Sequence, residues 1–163
     1  MRGSRAERGQ ARHAASTERR PYPSWTRGAY TIVTDPARID LDAVCAFLAR
    51  AYWASKRSRE VIARSLQHSI PFGVLEGAHL VAFARVISDR ATYAYLADVF
   101  VDESRRGAGL GTILMECIMD HPALRGLERW SLATRDAHAL YRKFGFQELL
   151  KPERHMEIPR RDG

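Results

Sequence analysis

The sequence predicts one α/β domain, in which segments with strand-like and helix-like apolar spacing follow one another. The length of 163 residues suits one domain that is large enough to bury a core. Apolar residues recur with helical spacing in some segments and form short β-rich runs in others. A glycine-rich turn at 107–111 lies between the longest strand-like run and a helical pattern. This succession of strand, turn and helix is typical of an α/β protein.

The N-terminal segment differs from the rest in charge and patterning. Residues 1–28 lack apolar periodicity, so they are predicted to be a disordered tail, and the folded domain is predicted over 29–163. Seven arginines against two glutamates give this tail +5 of the chain's net charge of +7. The basic excess therefore does not indicate a folded nucleic-acid-binding face. Salt-dependent contact of the tail with nucleic acid is the less favoured alternative.

Helix caps and turn residues divide the domain into its elements. Asp40, Ser58 and Asp136 each stand where a side chain can cap a helix, and helical apolar spacing follows each of them. Glu76-Gly77-Ala78 separates two β-rich runs and predicts a hairpin. The predicted order is a strand at 30–34, a helix after Asp40, a helix after Ser58, strands at 72–75, 79–87 and 92–101, a helix at 109–119, a strand at 130–134, a helix at 136–144, a strand at 146–150 and a candidate strand at 155–158.

The glycine turn is suited to binding phosphate. Gly107, Gly109 and Gly111 let the main chain turn tightly, and they expose N–H groups at the positive end of the helix that follows. A P-loop is excluded, because Thr112, five residues after Gly107, has no lysine near it. A dinucleotide fingerprint is excluded as well, because Leu114 stands where its last glycine would be.

Two motifs carry a resemblance to a known family. Arg106-x-x-Gly109-x-Gly111, placed after the strand at 96–101, resembles the pyrophosphate loop of the GNAT superfamily of acetyl-CoA-dependent N-acetyltransferases. The segment Ala139-Leu140-Tyr141-Arg142-Lys143-Phe144-Gly145-Phe146 resembles the helix-to-strand motif of that family. The resemblance covers about residues 30–158. It implies a central, mostly antiparallel mixed sheet of six to seven strands with helices on both faces.

The resemblance also implies how the co-substrate acetyl-CoA is held, without a metal. A bulge splays the central strand from the next one, and the opened strand pairs its main chain with the pantetheine arm. A backbone N–H near Val99 or Phe100 then stabilises the oxyanion. The cofactor-binding residues implied are Val99, Phe100, Val101, Arg106, Gly107, Ala108, Gly109, Leu110, Gly111, Thr112 and Tyr141. Arg105 is an alternative to Arg106 as the charge at the phosphate.

Tyr141 and Asp98 are the predicted catalytic residues. Tyr141 matches the family tyrosine near the sulfur and is the expected acid, while packing against Phe144 and Phe146 is the alternative. Asp98 is the candidate base, because a carboxylate in an apolar strand is costly unless it is paired or faces a cavity.

Other roles remain open for the proton transfer. Strand alternation places Asp98 on one face with Leu96 and Phe100, opposite Val99. A structural role for Asp98 as the partner of an arginine is the alternative. His138, one turn before Tyr141, is a second candidate base, and relay of the proton to water is a third option.

The leading functional prediction is an N-acetyltransferase that moves an acetyl group to a primary amine of a small molecule or protein. Direct attack in a ternary complex is expected, because no cysteine stands where an acyl carrier would. The alternative is a catalytically silent CoA-binding module. The acceptor itself is not identified, and the residues expected around it by resemblance are Tyr52, Trp53, Arg57, Tyr93, Tyr95 and Trp130.

Cysteines and hydropathy bear on location and partners. Cys45 and Cys117 lie in helical patterns without metal-site spacing and are interpreted as buried residues of a cytoplasmic protein. No apolar run is long enough to span a membrane or to form a signal peptide. No membrane is therefore expected as a partner. The resemblance implies acetyl-CoA and an amine as partners, with a homodimer as an option.

Overall fold

Six strands form one central sheet, and they lie side by side in the order in which they occur along the chain. The computed structural model describes residues 22–159. Four neighbouring pairs are antiparallel and the last pair is parallel, so the predicted mixed, mostly antiparallel sheet is confirmed. The strands are β1 (Ser24–Arg27), β2 (Tyr30–Val33), β3 (Ile70–Glu76), β4 (His79–Ser88), β5 (Tyr93–Val101) and β6 (Arg129–Ser131).

Helices cover both faces of the sheet and bury two separate apolar clusters. They are α1 (Leu41–Arg50), α2 (Arg59–Gln67), α3 (Leu110–Asp120) and α4 (His138–Arg142). Helices α1 and α2 pack on one face with Phe83 and Phe100. Helix α3 packs on the other face with Phe72 and Leu96. The predicted fold class is therefore confirmed. None of the helices within residues 22–159 is long and apolar enough to cross a bilayer.

Two of the three predicted helix caps are present. The Asp40 carboxylate accepts hydrogen bonds from the N–H groups of Asp42 and Ala43 at the start of α1. The Ser58 hydroxyl accepts one from the Val61 N–H at the start of α2. Both caps satisfy N–H groups that a helix cannot satisfy internally, which explains why the sequence located these helices well.

The N-terminal boundary of the folded region lies earlier than predicted. Residues 24–27, assigned to the disordered tail, form β1 and pair with β2. Trp25 anchors this strand: its ring stacks on Phe72, and its Nε1 donates to the Asp120 carboxylate at 3.0 Å. The remainder of the predicted tail, residues 1–21, lies outside the described residues.

The C-terminal elements are shorter than predicted. The strand expected at 130–134 ends at Ser131, and neither 146–150 nor 155–158 is a strand. The helix expected at 136–144 is the five-residue α4, which follows Ala137 and has no side-chain cap from Asp136. The Ala137 N–H donates to the Thr134 hydroxyl. A three-residue β6 offers little backbone for a further strand to pair with. Leu150 is accordingly 82% exposed.

Candidate active site

The central feature of the site is a cleft between β5 and β6. The two strands pair only from Tyr93–Tyr95 to Arg129–Ser131 and then part. Beyond Tyr95, β5 lines one wall of a cleft of about 570 Å³, and the chain from Leu132 to Ala137, which follows β6, lines another. The edge of β5 that faces this cleft has no strand partner there, so its main chain is available to an extended ligand.

The opposite edge of β5 contains a bulge at Asp98. Arg85 of β4 faces Ala97, and Phe83 faces Phe100, so β5 has one residue more than β4 between these pairs. Asp98 has a φ of +54° in the left-handed region, which is unusual for a residue other than glycine. A bulge of this kind bends the strand and raises its local twist.

The bulge reverses the alternation of side chains along β5. Leu96 lies in the cluster beneath α3, whereas Phe100 lies in the cluster beneath α1, where its ring stacks on Phe47 at 4.8 Å. Asp98 shares the α1 face with Phe100, because its partners Arg57 and Trp53 lie on that side. The expectation that Asp98 shares a face with Leu96 is therefore wrong, since the extra residue shifts the period-2 pattern by one.

The Asp98 carboxylate is fully engaged by three side chains. Arg85 Nε donates to Oδ2 at 2.6 Å, and Arg57 Nη1 donates to both oxygens at 2.8 and 2.9 Å. Trp53 Nε1 adds a bond to Oδ1 at 3.0 Å. Only 2% of the Asp98 side chain is exposed. Burial acts to raise the Asp98 pKa, but the bonds and charges of Arg85 and Arg57 outweigh it and hold the pKa below its ordinary value.

This cluster holds the bulge in place. A left-handed backbone costs a residue such as aspartate about 1–2 kcal/mol. Hydrogen bonds to a charged group each contribute about 1.5–3 kcal/mol, so the bonds on Asp98 offset the strain. The cluster of Asp98, Arg57, Arg85 and Trp53 is called the Asp98 cluster below.

Tyr141 lies on the wall of the cleft, on α4. It is buried, and its ring packs against Phe146 with the ring centroids 6.0 Å apart. Burial, with a smaller contribution from the negative charge of Asp136, raises the pKa of Tyr141 to about 12. The phenol is therefore protonated at neutral pH. His138 is exposed and lines a neighbouring cavity of about 440 Å³, not the cleft that contains Asp98.

The glycine loop leaves the start of α3 open. Gly107 and Gly109 have φ values of +83° and +78°, and a Cβ at either position would meet nothing within 4 Å. No side chain caps α3, whose first internal hydrogen bond is donated by Ile113 to the Gly109 carbonyl. The N–H groups of the first helical turn therefore have no hydrogen-bond partner among residues 22–159.

Gly111 has a different role from the two glycines before it. A Cβ there would lie 3.2 Å from Leu140 Cδ2, so its small size lets α3 approach α4. Because Leu140 precedes Tyr141 on α4, the glycine loop and the tyrosine lie on adjacent parts of the fold.

The two arginines before the glycine loop are not equivalent. Arg105 donates through Nε and Nη2 to Glu76 Oε2 at 2.9 and 2.5 Å. Arg106 is exposed and makes no ion pair within the part of the chain that is described. Of the two alternatives, Arg106 is thus the arginine available to a ligand.

The structure brings together most, but not all, of the predicted acceptor residues. Four of them line the cleft, namely Tyr52, Trp53, Arg57 and Tyr95. Tyr93 is exposed at the start of β5, and Trp130 lines the neighbouring cavities. Arg85 was not among the predicted site residues, although a lone arginine in the apolar strand at 80–87 is a signal for a buried acidic partner.

The described residues contain no group of three or more His, Cys, Asp or Glu side chains arranged to hold a metal. Cys117 is buried in the core beneath α3, where burial raises its pKa to about 11. Neither cysteine lines the cleft.

A mixed sheet opened beside a bulged strand, followed by a glycine loop and an uncapped helix, is the arrangement expected of a GNAT acetyltransferase. The model of the acetyltransferase (GNAT) family matches residues 29–146. The chain belongs to this family.

Similar proteins agree with this family. A Gibberella zeae protein named as a putative acetyltransferase is 30% identical over 143 residues. The match covers 74% of this chain and 80% of the relative. The crystal structure of a putative GNAT acetyltransferase from Xanthomonas campestris is 43% identical with a TM-score of 0.78, covering 80% of this chain and 92% of that one. The ribosomal-protein-S18-alanine N-acetyltransferase of Escherichia coli is 27% identical with a TM-score of 0.61, covering 74% and 79%.

Proposed function

We propose that the protein transfers an acetyl group from acetyl-CoA to a primary amine of a small molecule or protein, by direct attack in a ternary complex. The observation that carries this proposal is the cleft where β5 and β6 part, with the protonated Tyr141 on its wall. Direct attack is supported because neither cysteine lines the cleft.

The residues present fit acetyl-CoA. The free N–H groups of Leu110, Gly111 and Thr112 at the start of α3 suit the pyrophosphate, and Arg106 adds a charge beside them. The exposed edge of β5 over Val99–Val101 suits the pantetheine amides. When bound, acetyl-CoA supplies the acetyl group as a thioester.

The main chain at the bulge is the proposed oxyanion donor. An N–H of Val99 or Phe100, next to the fixed Asp98, donates to the thioester carbonyl oxygen as negative charge develops there. Because the Asp98 cluster holds this backbone, the donor is oriented before the substrate arrives. Phe100 contributes only main chain, since its ring is packed against Phe47.

Tyr141 is the proposed acid. The C–N bond to the amine forms, the C–S bond breaks, and the Tyr141 hydroxyl donates its proton to the departing sulfur. A raised pKa keeps the phenol protonated before the reaction. The phenolate left by the donation takes a proton back from water, which receives one from the amine.

Water is the proposed acceptor of the amine proton. Asp98 is a poor base, because its oxygens are occupied by Arg57, Arg85 and Trp53 and its pKa is lowered. His138 is exposed and lies outside the cleft. The proposed role of Asp98 is therefore positional, as the partner of two arginines.

The test measures thiol release from acetyl-CoA with a panel of primary amines, and CoA binding by calorimetry, on the full chain. We expect amine-dependent thiol release. Tyr141→Phe should lower kcat about 10- to 100-fold, at or below the usual range for general acid catalysis because a thiolate is a fair leaving group.

The dissociation constant for CoA should change little in Tyr141→Phe, and the exposed Tyr93→Phe serves as the control. A fall in CoA affinity without a fall in kcat would leave Tyr141 as a packing residue. CoA binding without turnover on any amine would favour a catalytically silent CoA-binding module.

A further inference from the structure

We infer that the acceptor carries an anionic group close to its amine, and that Arg85 and Arg57 bind this group. This inference rests on the proposed function and names the class of its acceptor. It starts from the two guanidinium groups of the Asp98 cluster, which have more donors than Asp98 can accept.

Arg85 is buried but incompletely paired. The residue is 9% exposed, and its Nε donates to Asp98. Within residues 22–159, Nη1 and Nη2 of Arg85 have no hydrogen-bond partner, and no side-chain nitrogen or oxygen in that range is both inaccessible and unpartnered. These two nitrogens are therefore reached by solvent, and the side chain lines the cleft.

Arg57 presents a second set of donors. Its Nη1 alone bonds both oxygens of Asp98, which leaves Nε and Nη2 without partners in the described part of the chain. Its side chain is 32% exposed and lines the same cleft. Two guanidinium groups with free N–H donors thus converge on one carboxylate.

The Asp98 cluster carries a net positive charge. Two arginines meet one aspartate, and the other charged pair on the cleft, Arg135 and Asp136, is exposed and neutralises itself at 3.4 Å. The surplus positive charge therefore lies on the wall of the cleft, where it attracts anions. Guanidinium groups bind carboxylates and phosphates through paired N–H donors.

The position of the surplus links it to the reaction. Asp98 precedes Val99, the proposed oxyanion donor, and neighbouring Cα atoms are ~3.8 Å apart. Arg57, Arg85 and Val99 also line the same cleft, so an anion on the arginines lies in the cleft where the amine must attack. A compact amine with a carboxylate or a phosphonate a few bonds away matches this arrangement, whereas a purely cationic amine would be repelled.

The test compares acceptors that share one carbon skeleton: an amino acid, its carboxamide and the corresponding aminophosphonate, each with acetyl-CoA. We expect kcat/KM to be about 10- to 100-fold higher for the anionic acceptors than for the carboxamide, the factor that one charge-assisted hydrogen bond provides. Comparison of kcat/KM for the amino acid and the aminophosphonate shows which of the two anions the arginines prefer.

Three variants locate the effect. Arg57→Gln and Arg85→Lys should reduce the preference for the anion through KM, since Lys retains the charge beside Asp98 but loses the paired donors. Arg59→Gln is the matched control, because Arg59 pairs with the exposed Asp42 outside the cleft and should keep the preference. Thermal unfolding checks that each variant is folded.

The outcomes separate the inference from the proposed function. Equal kcat/KM for the carboxylate and the carboxamide would overturn the inference and leave the acetyltransferase intact. Loss of all turnover would count against the proposed function. Calorimetric binding of the same pair with CoA present then decides the inference: a preference lost in Arg57→Gln supports it, and equal binding overturns it.

Discussion

The two edges of β5 are built in opposite ways. On the edge beside β4, pairing runs along almost the whole strand, and Arg85 reaches across to Asp98. On the edge beside β6, pairing lasts for three residues and then stops. An unpaired edge normally invites unwanted association. The open edge of β5 keeps a defined shape because the other edge is firmly fixed.

The same contrast holds for polar groups. The Asp98 carboxylate on the closed edge has three side-chain partners, whereas the N–H groups at the start of α3 have none within the described range 22–159. Polar groups whose hydrogen bonds are all made within the protein add rigidity, whereas polar groups without a partner can bind a ligand. Perturbing each region separately should therefore produce different losses.

The largest effect is expected when the closed edge is broken. Asp98→Asn removes the charge that two arginines share, and loss of one partner from a buried ion pair costs about 3–5 kcal/mol in the free energy of unfolding. Turnover should fall as well, because the bulge loses its support. Urea denaturation and thiol release measure the two effects.

Asp42→Asn is the control for Asp98→Asn, because it removes an exposed carboxylate that also pairs with an arginine at 2.8 Å. Little change in stability is expected there, as for most surface ion pairs. An Asp98→Asn protein as stable as the parent would show that the bulge does not depend on the cluster.

A smaller effect is expected when the open side is altered. Gly109→Val places a branched side chain at a φ of +78°, which costs about 1–2 kcal/mol of stability. Because the strained residue precedes the free N–H groups of α3, CoA affinity should fall too. Calorimetric titration with CoA and urea denaturation measure both quantities.

Gly28→Val is a matched control, since Gly28 has a φ of +58° and equally open space around it, in the turn between β1 and β2. It should lose similar stability and keep its CoA affinity. If both variants bind CoA equally well, the glycine loop is not the phosphate site.

The smallest effect concerns a buried group away from the cleft. His121 packs against Trp25 and Phe72, and its Nδ1 accepts a hydrogen bond from the Ala123 N–H. Burial, aided by the charge of Arg90, lowers the His121 pKa below the ordinary 6.5. The neutral form is therefore favoured in the folded state. Its contribution is fully present above pH 6.5 and is lost as the pH falls below that value towards the folded pKa.

Urea denaturation between pH 7.5 and pH 5 measures this loss, and His121→Gln should flatten the profile in that range. A profile that is unchanged by His121→Gln would place the pH dependence on another group. Because His121 does not line the cleft, CoA affinity should not follow the same curve.

Local features of the sequence were predictable to within a few residues. Asp40 and Ser58 cap the helices they were expected to cap, and α3 begins one residue after Gly109. Each of these features depends on neighbouring residues, so a single sequence contains the necessary information. Asp136 was the exception, because α4 begins at His138 after Ala137 and has no side-chain cap.

Features that depend on distant partners were not predictable in the same way. The shifted alternation of side chains in β5 is visible only in its pairing register with β4, because the extra residue leaves no mark in the sequence pattern of β5. The strand expected at 146–150 has a suitable apolar pattern but lacks a long neighbour, since β6 ends at Ser131.

The fold class, the family resemblance and the position of the glycine loop could all be predicted from the sequence, because motifs and caps are short-range patterns. The tertiary structure alone decided that Asp98 belongs to two arginines, that Arg85 reaches the cleft and that β5 has one open edge. These outcomes depend on which strands and loops meet, and that pairing is settled by packing across the whole domain.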